Sequence, residues 1–195
     1  MAAPTTRERL IEAATTLFYE HGFHAVGLDR ILDEVGVTKT TFYNHFESKD
    51  DLIVAVLQHR DAMETAQWTA IMRERGGSDP RRQILALFDI LEEWFHQEGF
   101  RGCMFINAAV EFPAPNDPIH TAAAAHGASL YTVVERLARE AGAEQPELLA
   151  NQILMLVAGA LVGRHVSHDE GAAGTARATG ELLLDHHLGP VSTGV

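Results

Sequence analysis

The sequence predicts an all-α protein of about nine helices, with an N-terminal three-helix helix-turn-helix domain followed by a larger helical domain. Apolar residues recur at spacings of three and four along most of the chain, which is the pattern of amphipathic helices. Residues that begin and end helices bound each of these stretches. No stretch alternates apolar and polar residues as a half-buried strand does.

The composition favours a globular protein of the cytoplasm. Of 195 residues, 46% are hydrophobic, so the chain can bury a sizeable core. The longest apolar run, residues 153–163, is shorter than the roughly 20 residues that cross a bilayer. Residues 1–9 lack the apolar stretch of a secretory signal. A single cysteine, Cys103, permits neither an intrachain disulfide nor a cysteine-based zinc site.

The chain is acidic along its whole length. Its formal net charge is −12, and even residues 1–60 carry nine acidic groups against six basic ones. Because an acidic protein is repelled at long range by a polyanion, any binding to DNA must depend on a few well-placed donors. We therefore expect nonspecific DNA binding to be weak.

The first two helices have clear start and stop residues. Residues 5–8, Thr-Thr-Arg-Glu, have the form of a capping box, in which a hydroxyl and a carboxylate satisfy free backbone amides. An apolar stripe follows, and Gly22 ends the helix by adopting a backbone that other residues avoid. A second, shorter stripe covers residues 28–35 and ends at Gly36.

The next two helices begin at hydroxyl residues. Thr38 can cap a short third helix, and residues 48–51, Ser-Lys-Asp-Asp, open a long fourth helix that extends to about Arg75. Four helix starts within 50 residues predict a compact module. We therefore expect a helix-turn-helix domain at residues 1–50 and a second domain at residues 51–195.

Five further helices follow. Asp79 and Pro80 place an N-cap before a proline at the first helical position, and glycine or proline ends most of these helices. The predicted extents are residues 79–99, 103–112, 116–141 and 146–165, with a last helix that reaches roughly residue 187.

The second and third helices predict helix-turn-helix geometry. Residues 35–37, Val-Gly-Val, supply a glycine for the sharp turn and apolar flanks that anchor it. In such motifs the second helix lies in the major groove of DNA. Phe42 and Phe46 are four residues apart and therefore face the core. The exposed arc of an eight-residue recognition helix would then carry Lys39, Thr40, Tyr43 and Asn44.

Eight polar residues in and beside this helix suit a DNA duplex. The hydroxyl and free amides at the helix start can bind a phosphate, a lysine can bind phosphate or guanine, and an asparagine can pair with an adenine edge. Threonine methyl groups can contact thymine, and longer side chains can reach the DNA backbone. The candidate DNA-binding residues are Thr38, Lys39, Thr40, Thr41, Tyr43, Asn44, His45 and Lys49.

Residues 5–55 resemble the N-terminal domain of the TetR family of transcriptional repressors. The resemblance rests on residues 9–18 with the Gly-Phe of residues 22–23, on the Phe-Tyr-Asn-His-Phe of residues 42–46, and on the Ser-Lys-Asp-Asp-Leu of residues 48–52. It implies a homodimer that binds a pseudo-palindromic operator in double-stranded DNA. It also implies release from that operator by a small hydrophobic effector.

The chain departs from the family pattern at a few positions. Val26 and Gly27 stand where the family usually has hydroxyl residues that cap the second helix. Leu32 and Val35 replace the usual alanines, and Thr40 stands where glycine is common. The first departure affects one expected phosphate contact, and the last changes which bases are read.

The resemblance also implies an effector cavity between the central helices. Its expected lining mixes aromatic, small and polar residues, which suits a hydrophobic small molecule. The alternative is that each residue simply packs in the core. The candidate ligand-binding residues are Phe88, Leu91, Phe95, Met104, Phe105, Ala108, Phe112, His126 and Leu130.

The last two helices are expected to form a four-helix dimer interface with their copies. The eighth helix has a broad apolar face and small residues that let another backbone approach, and the alternative is that this face is buried within one subunit. A dimer would present two recognition helices about 34 Å apart. The apolar residues of the predicted interface are Ile153, Leu156, Val157, Ala160, Leu161, Ala176, Leu183 and Leu184.

Other readings of the chain have less support. Cys103 follows Arg101 at a helix start, which would activate a thiol, although a buried packing cysteine is the simpler interpretation. Paired histidines at 165 and 168 and at 186 and 187 lack the further ligands that a metal site needs. The serine-hydrolase, phosphate-loop and zinc-protease motifs are absent. A helical enzyme, such as a cysteine hydrolase built on Cys103, is one alternative function, but no catalytic motif supports it, and we predict no cofactor and no enzyme activity. A helical adaptor that binds only protein is the other alternative.

Overall fold

The computed structural model describes residues 3–189, and this range folds into nine α-helices with no strand. The predicted all-α fold is therefore confirmed. In chain order the helices are α1 (Thr6–His21), α2 (Leu28–Val35), α3 (Lys39–Tyr43), α4 (Lys49–Gly76), α5 (Pro80–Phe95), α6 (Met104–Glu111), α7 (Pro118–Glu140), α8 (Pro146–Ser167) and α9 (Ala172–Leu188).

Most helix starts follow the local chemistry predicted for them. The capping box at α1 is complete: the backbone amide of Thr5 donates to Glu8 over 2.7 Å, and the amide of Glu8 donates to the Thr5 hydroxyl over 3.3 Å. Asp79 caps α5 by accepting from the amides of Arg81 and Arg82, with Pro80 at the first position. These interactions satisfy amides that have no partner within the helix.

Two helix lengths differ from the prediction. α3 has five residues rather than eight, because the chain tightens after Tyr43 and the amide of His45 donates to the carbonyl of Phe42 over 2.8 Å. α5 ends at Phe95, four residues before the predicted stop at Gly99. The imidazole of His96 lies 2.8 Å from the carbonyl oxygen of Glu92, so a side chain satisfies the helix end earlier than the glycine could.

The chain divides into two compact units. The first comprises the residues up to Met63 together with Cys103–His126, and the second comprises Glu64–Gly102 and the residues from Gly127 onward. The first unit thus holds α1–α3, the N-terminal half of α4, α6 and the start of α7. The division at residue 50, which separates the chain by function, remains a prediction.

The core of the first unit joins α1 to the helix-turn-helix pair. Buried apolar residues of α1 and α2 face one another, and Phe42 and Phe46 are both buried. The two phenylalanine rings lie 5.6 Å apart between centroids. The guanidinium of Arg9 donates to the carbonyl of Val35 over 2.5 Å, which ties α1 to the C-terminal end of α2. The orientation predicted for the third helix is confirmed.

The core of the second unit is built by α5, α8 and α9. Asp89 and Asp185 form ion pairs with Arg177 and Arg81, which link α5 to α9. The close approach of the two helices depends on Gly180 of α9, since a β-carbon there would lie 2.7 Å from the ring of Phe88. α9 therefore packs its backbone directly on an aromatic side chain of α5.

The apolar face predicted to pair across a dimer is mostly buried within the subunit, so that part of the prediction is wrong. α8 packs this face against α9 and α5, which satisfies it inside one chain. Leu156 and Leu183 are only half-buried. The residues of the predicted face that are buried are Ile153, Val157, Ala160, Leu161, Ala176 and Leu184.

One helix in the described range, α8, is long and apolar enough to cross a membrane by length and composition alone. The uninterrupted apolar run of residues 153–163 is shorter than α8, because the helix also includes Gln152 and Arg164, which flank the run. A core helix of a soluble protein meets the same criterion, and α8 contributes several residues to the core of its unit.

We expect Gly180→Ala to destabilise the protein. The added methyl group would overlap the buried ring of Phe88, and such overpacking costs about 1–3 kcal/mol, more than the gain in helix propensity. Gly127→Ala in α7 is the matched control, because the space around Gly127 is open; it should stabilise the helix by about 0.5–1 kcal/mol. Urea unfolding at one protein concentration measures both changes. Equal or greater stability of the Gly180 variant would contradict this packing.

Candidate nucleic-acid interface

The turn between α2 and α3 depends on a left-handed glycine. Gly36 has φ 73° and ψ 41°, a conformation in which other residues are strained. The amides of Gly36 and Val37 both donate to the carbonyl of Leu32, over 2.8 and 3.0 Å. The turn therefore closes α2 and sets the direction in which α3 leaves it.

Thr38 caps α3 and fixes its first turn. Its hydroxyl oxygen accepts from the amide of Thr41 over 3.2 Å, and the two threonine hydroxyl groups lie 3.0 Å apart. The hydroxyl of Thr38 is thus used within the helix, and Thr41 is half-buried beside it. Amides of the first turn other than that of Thr41 remain for an outside acceptor, as at any helix start.

The exposed arc of α3 carries the side chains predicted for it. Tyr43 is 57% exposed, and its ring meets that of Phe42 edge to face at 5.3 Å. Lys39 and Thr40 are exposed in the helix itself. Asn44 and His45 are exposed in the turn that follows. Five candidate residues in α3 and the turn after it are therefore exposed to solvent.

Lys39 is paired with an acidic residue in the free protein. Its ammonium nitrogen lies 2.8 Å from a carboxylate oxygen of Asp29, in the first turn of α2. The hydrogen bond to Asp29, followed by the attraction of its charge, raises the pKa of Lys39 above its ordinary value. Lys39 must share or leave this partner before it can bind DNA.

Lys49 is half-buried, and its ammonium group is bonded to the protein itself. Its ammonium group donates to the carbonyl of Phe23 over 2.6 Å and lies 5.9 Å from the ring centroid of Phe18. Burial lowers the pKa of Lys49 below its ordinary value. The geometry therefore gives Lys49 a structural role in holding the loop between α1 and α2.

Glu111 of α6, which the sequence did not single out, holds the same loop. Its carboxylate accepts from the amides of Phe23 and His24 over 3.0 and 2.7 Å, and the imidazole of His24 lies 3.0 Å away. Burial acts to raise the pKa of Glu111, but these hydrogen bonds outweigh it and hold the pKa below the ordinary value. α6 is thereby fastened to the helix-turn-helix module.

Arg7 is a second residue that the sequence did not indicate. Its guanidinium carbon lies 5.1 Å from the ring centroid of Phe46, the buried residue that follows the recognition helix. Arg7 is exposed, so this contact places a cation of α1 beside the residue Phe46. α2 begins at Leu28, and its N-cap, Gly27, supplies no side-chain hydrogen bond, in agreement with the absence of hydroxyl residues there.

The candidate ligand-binding residues fall in both units. Phe88, Leu91, Phe95 and Leu130 belong to the second unit, and all four are buried. The side chain of Phe88 is buried against Gly180, so its burial needs no ligand. The members in the first unit are Met104, Phe105, Ala108, Phe112 and His126.

In the first unit, His126 combines a polar and an aromatic contact. Its imidazole stacks on the ring of Phe105 at a centroid distance of 3.8 Å, and its Nδ1 lies 2.8 Å from a carboxylate oxygen of Asp61. The histidine and aspartate side chains are both largely buried. α4, α6 and α7 therefore meet at one hydrogen-bonded aromatic pair.

The lone cysteine and the paired histidines are also placed. Cys103 is buried at the start of α6, as expected for a packing cysteine. The imidazole of His187 lies 2.8 Å from the side-chain oxygen of Gln152. Between residues 3 and 189, no group of three or more histidine, cysteine or acidic side chains is arranged to hold a metal ion.

We expect Glu111→Gln to weaken folding by about 1–2 kcal/mol at pH 7, because charged hydrogen bonds become neutral ones. The lowered pKa of Glu111 stabilises the fold above the ordinary value of 4.5, and this contribution is lost as the pH falls through the folded-state pKa. The difference from the parent protein should therefore shrink in acid. Urea unfolding between pH 7 and pH 3 measures it.

The matched control is Glu12→Gln, at an exposed position of α1, which should change little at any pH. A Glu111 difference that is equal at both ends of the pH range would show that the carboxylate charge is not the stabilising feature.

Two family descriptions match the sequence. Residues 10–56 match bacterial regulatory proteins of the tetR family, and residues 80–179 match the tetracyclin repressor-like C-terminal domain. A solved TetR-family transcriptional regulator from Streptomyces coelicolor is 34% identical, with a TM-score of 0.85, over 94% of this chain and 96% of that chain.

Curated relatives match over shorter stretches. The HTH-type transcriptional activator FasR of Mycolicibacterium smegmatis is 33% identical over 67% of this chain and 59% of its own length. The HTH-type transcriptional repressor NemR of Escherichia coli is 31% identical over 54% of this chain and 53% of its own length. The matched regions thus span between about half and three fifths of these relatives.

These similarities agree with the helix-turn-helix geometry and the exposed arc of α3. Proteins of this kind are soluble DNA-binding transcription factors that bind operators as dimers, and they are not enzymes. The chain belongs to the TetR family of transcriptional regulators.

Proposed function

We propose that this protein is a cytoplasmic transcriptional repressor that binds a pseudo-palindromic operator as a homodimer. A small hydrophobic effector would release it from the DNA. The observation that carries the proposal is the exposed arc of α3, whose polar side chains face solvent because Phe42 and Phe46 are buried on its other side.

In the proposed complex, α3 lies in the major groove, and different side chains contact the bases and the DNA backbone. Lys39 binds guanine or phosphate and Asn44 an adenine edge, while the methyl groups of Thr40 and Thr41 reach thymine. Tyr43 and His45 extend to the DNA backbone, and Thr38 presents the helix start to a phosphate. Lys49 contributes indirectly, since it holds the loop that supports the module.

The acidic character of the chain supports a binder that is selective for sequence. With a formal net charge of −12, attraction to DNA phosphates is weak overall, so affinity must come from contacts that only the right bases provide. The salt dependence of operator binding should accordingly reflect few phosphate contacts.

The proposed dimer uses the outer faces of α8 and α9, on the same helices as predicted but on a different side. Exposed apolar residues recur along α8 at helical spacing, and α9 adds Leu182. Gly159 is exposed among them, with open space where a side chain would be, so a partner helix could approach closely. The exposed apolar residues of α8 are Leu148, Met155, Val162 and Val166.

The proposed effector site includes the stacked pair of Phe105 and His126. A planar apolar ligand could replace the aromatic contact, and the imidazole held by Asp61 could provide one hydrogen bond. Binding there would favour a conformer with displaced recognition helices. An effector of this kind should raise the melting temperature of the protein and lower its operator affinity.

The names of the relatives include both a repressor and an activator, so the sign of regulation needs its own test. The proposal of repression predicts that a reporter gene under the operator is silenced by the protein and expressed again when the effector is added. Higher expression in the presence of the protein alone would contradict repression.

Lys39→Ala should weaken operator binding about tenfold to a hundredfold, because a base contact of this kind contributes about 1–3 kcal/mol. The melting temperature should not change, since the side chain is exposed. Fluorescence anisotropy with duplexes from the DNA that flanks its own gene measures the affinity at fixed salt. Arg82→Ala, an exposed cation of the second unit, is the control. An unchanged affinity of the Lys39 variant would remove this residue from the interface.

Met155→Glu should convert the dimer to a monomer at micromolar concentration. Met155 is 74% exposed in one subunit, and two carboxylates facing each other across the interface would repel. Light scattering after size exclusion gives the mass, and operator affinity should fall with it. Thr132→Glu, on an exposed face of α7, should remain dimeric. A dimeric Met155 variant would exclude this face.

A further inference from the structure

The ion pair between Asp29 and Lys39 lies on the outside of the helix-turn-helix module and has no part in the packing of its core. Asp29 is 73% exposed and Lys39 62% exposed, with their charged atoms 2.8 Å apart. The pair joins the first turn of α2 to the first residue of α3. An acidic side chain is thus held on a surface that must approach DNA phosphates.

The other lysine and arginine side chains of residues 1–60 lie on α1, α2 and α4. Several of them are hydrogen-bonded to the protein itself, and Arg7 lies over the ring of Phe46. The lysine paired with Asp29 is the basic residue within α3 itself. The engaged groups are Arg9 on the Val35 carbonyl, Arg30 on the His21 imidazole and Lys49 on the Phe23 carbonyl.

A carboxylate in this position affects two kinds of DNA contact differently. An exposed ion pair is weak, so a well-aligned contact between a lysine and a guanine edge is strong enough to break it. A mobile, nonspecific contact between the lysine and phosphate contributes less binding free energy, and the freed carboxylate would then repel the same phosphates. Lys39, when paired with Asp29, can consequently bind the operator but binds other DNA poorly.

We propose that Asp29 is a specificity-determining residue of this regulator. The ion pair with Asp29 persists when Lys39 meets nonspecific DNA, and it breaks when Lys39 binds the base edges of the operator. The inference rests on the proposed role of Lys39 in DNA binding. Asp29 acts through Lys39 and needs no contact with DNA itself.

Asp29→Asn removes the ion pair, and Asp33→Asn is the matched control. Asp33 lies one helical turn further along α2 and is also exposed, so its substitution removes the same charge while the pair with Lys39 remains. Adding each change to Lys39→Ala separates an effect that requires the lysine from a general effect of net charge.

The experiment compares an operator selected from random duplexes by the parent protein with a scrambled duplex of the same length. Fluorescence anisotropy gives the affinity for both over a range of salt concentrations. We expect Asp29→Asn to strengthen binding to the scrambled duplex about threefold to tenfold and to steepen its salt dependence by about 0.9, the slope for one phosphate contact. Operator binding should change less, so the ratio of the two affinities falls. Asp33→Asn should leave this ratio unchanged.

Two results would overturn the proposal. The first is that Asp29→Asn changes the affinity for both duplexes equally, as expected for Asp33→Asn. The second is that Asp29→Asn has the same effect on affinity when Lys39→Ala is also present. Circular dichroism checks the fold, and Asp29→Ser replaces the asparagine variant if that variant unfolds, since serine also removes the charge. A parent protein that selects no operator would refute the proposed function itself, whereas a selected operator with an unaltered ratio would refute only the role of Asp29.

Discussion

The burial of Phe42 and Phe46 is the interaction on which the rest of the proposed DNA-binding surface depends. A helix of five residues is too short to be stable in isolation, because nucleation is unfavourable and few backbone hydrogen bonds form. Two phenylalanine side chains anchored in the core hold it in place. Anchoring on one side leaves the opposite side exposed, and this decides which polar residues can meet a duplex.

Charge is the second constraint, since a strongly acidic protein has to bind a polyanion. Some of its cations also stabilise the module: Arg9 bonds to the end of α2, and Lys49 bonds to the loop after α1. Glu111 holds that loop from α6. These hydrogen bonds stabilise the module and fix the positions of its charged side chains.

Two faces of α8 have different surroundings. The face that contains Ile153 and Val157 is buried against its own chain. The face that contains Met155 and Val162 is exposed and apolar, which is unusual for a surface that meets only water. α8 is thus packed against α9 and α5 of its own chain on one face and carries exposed apolar side chains on another.

The sequence by itself determined the helices, because their caps and stops act over three or four residues, as at Thr5, Thr38 and Gly36. It also determined that Phe42 and Phe46 face inward, since helical spacing places them on one side. Only the tertiary structure decided the pairing of Lys39 with Asp29, the hydrogen bond from Lys49 to Phe23 and the one from Phe23 to Glu111, 88 residues away in the chain. These contacts depend on how separate helices pack, and a local pattern of residues does not predict that packing.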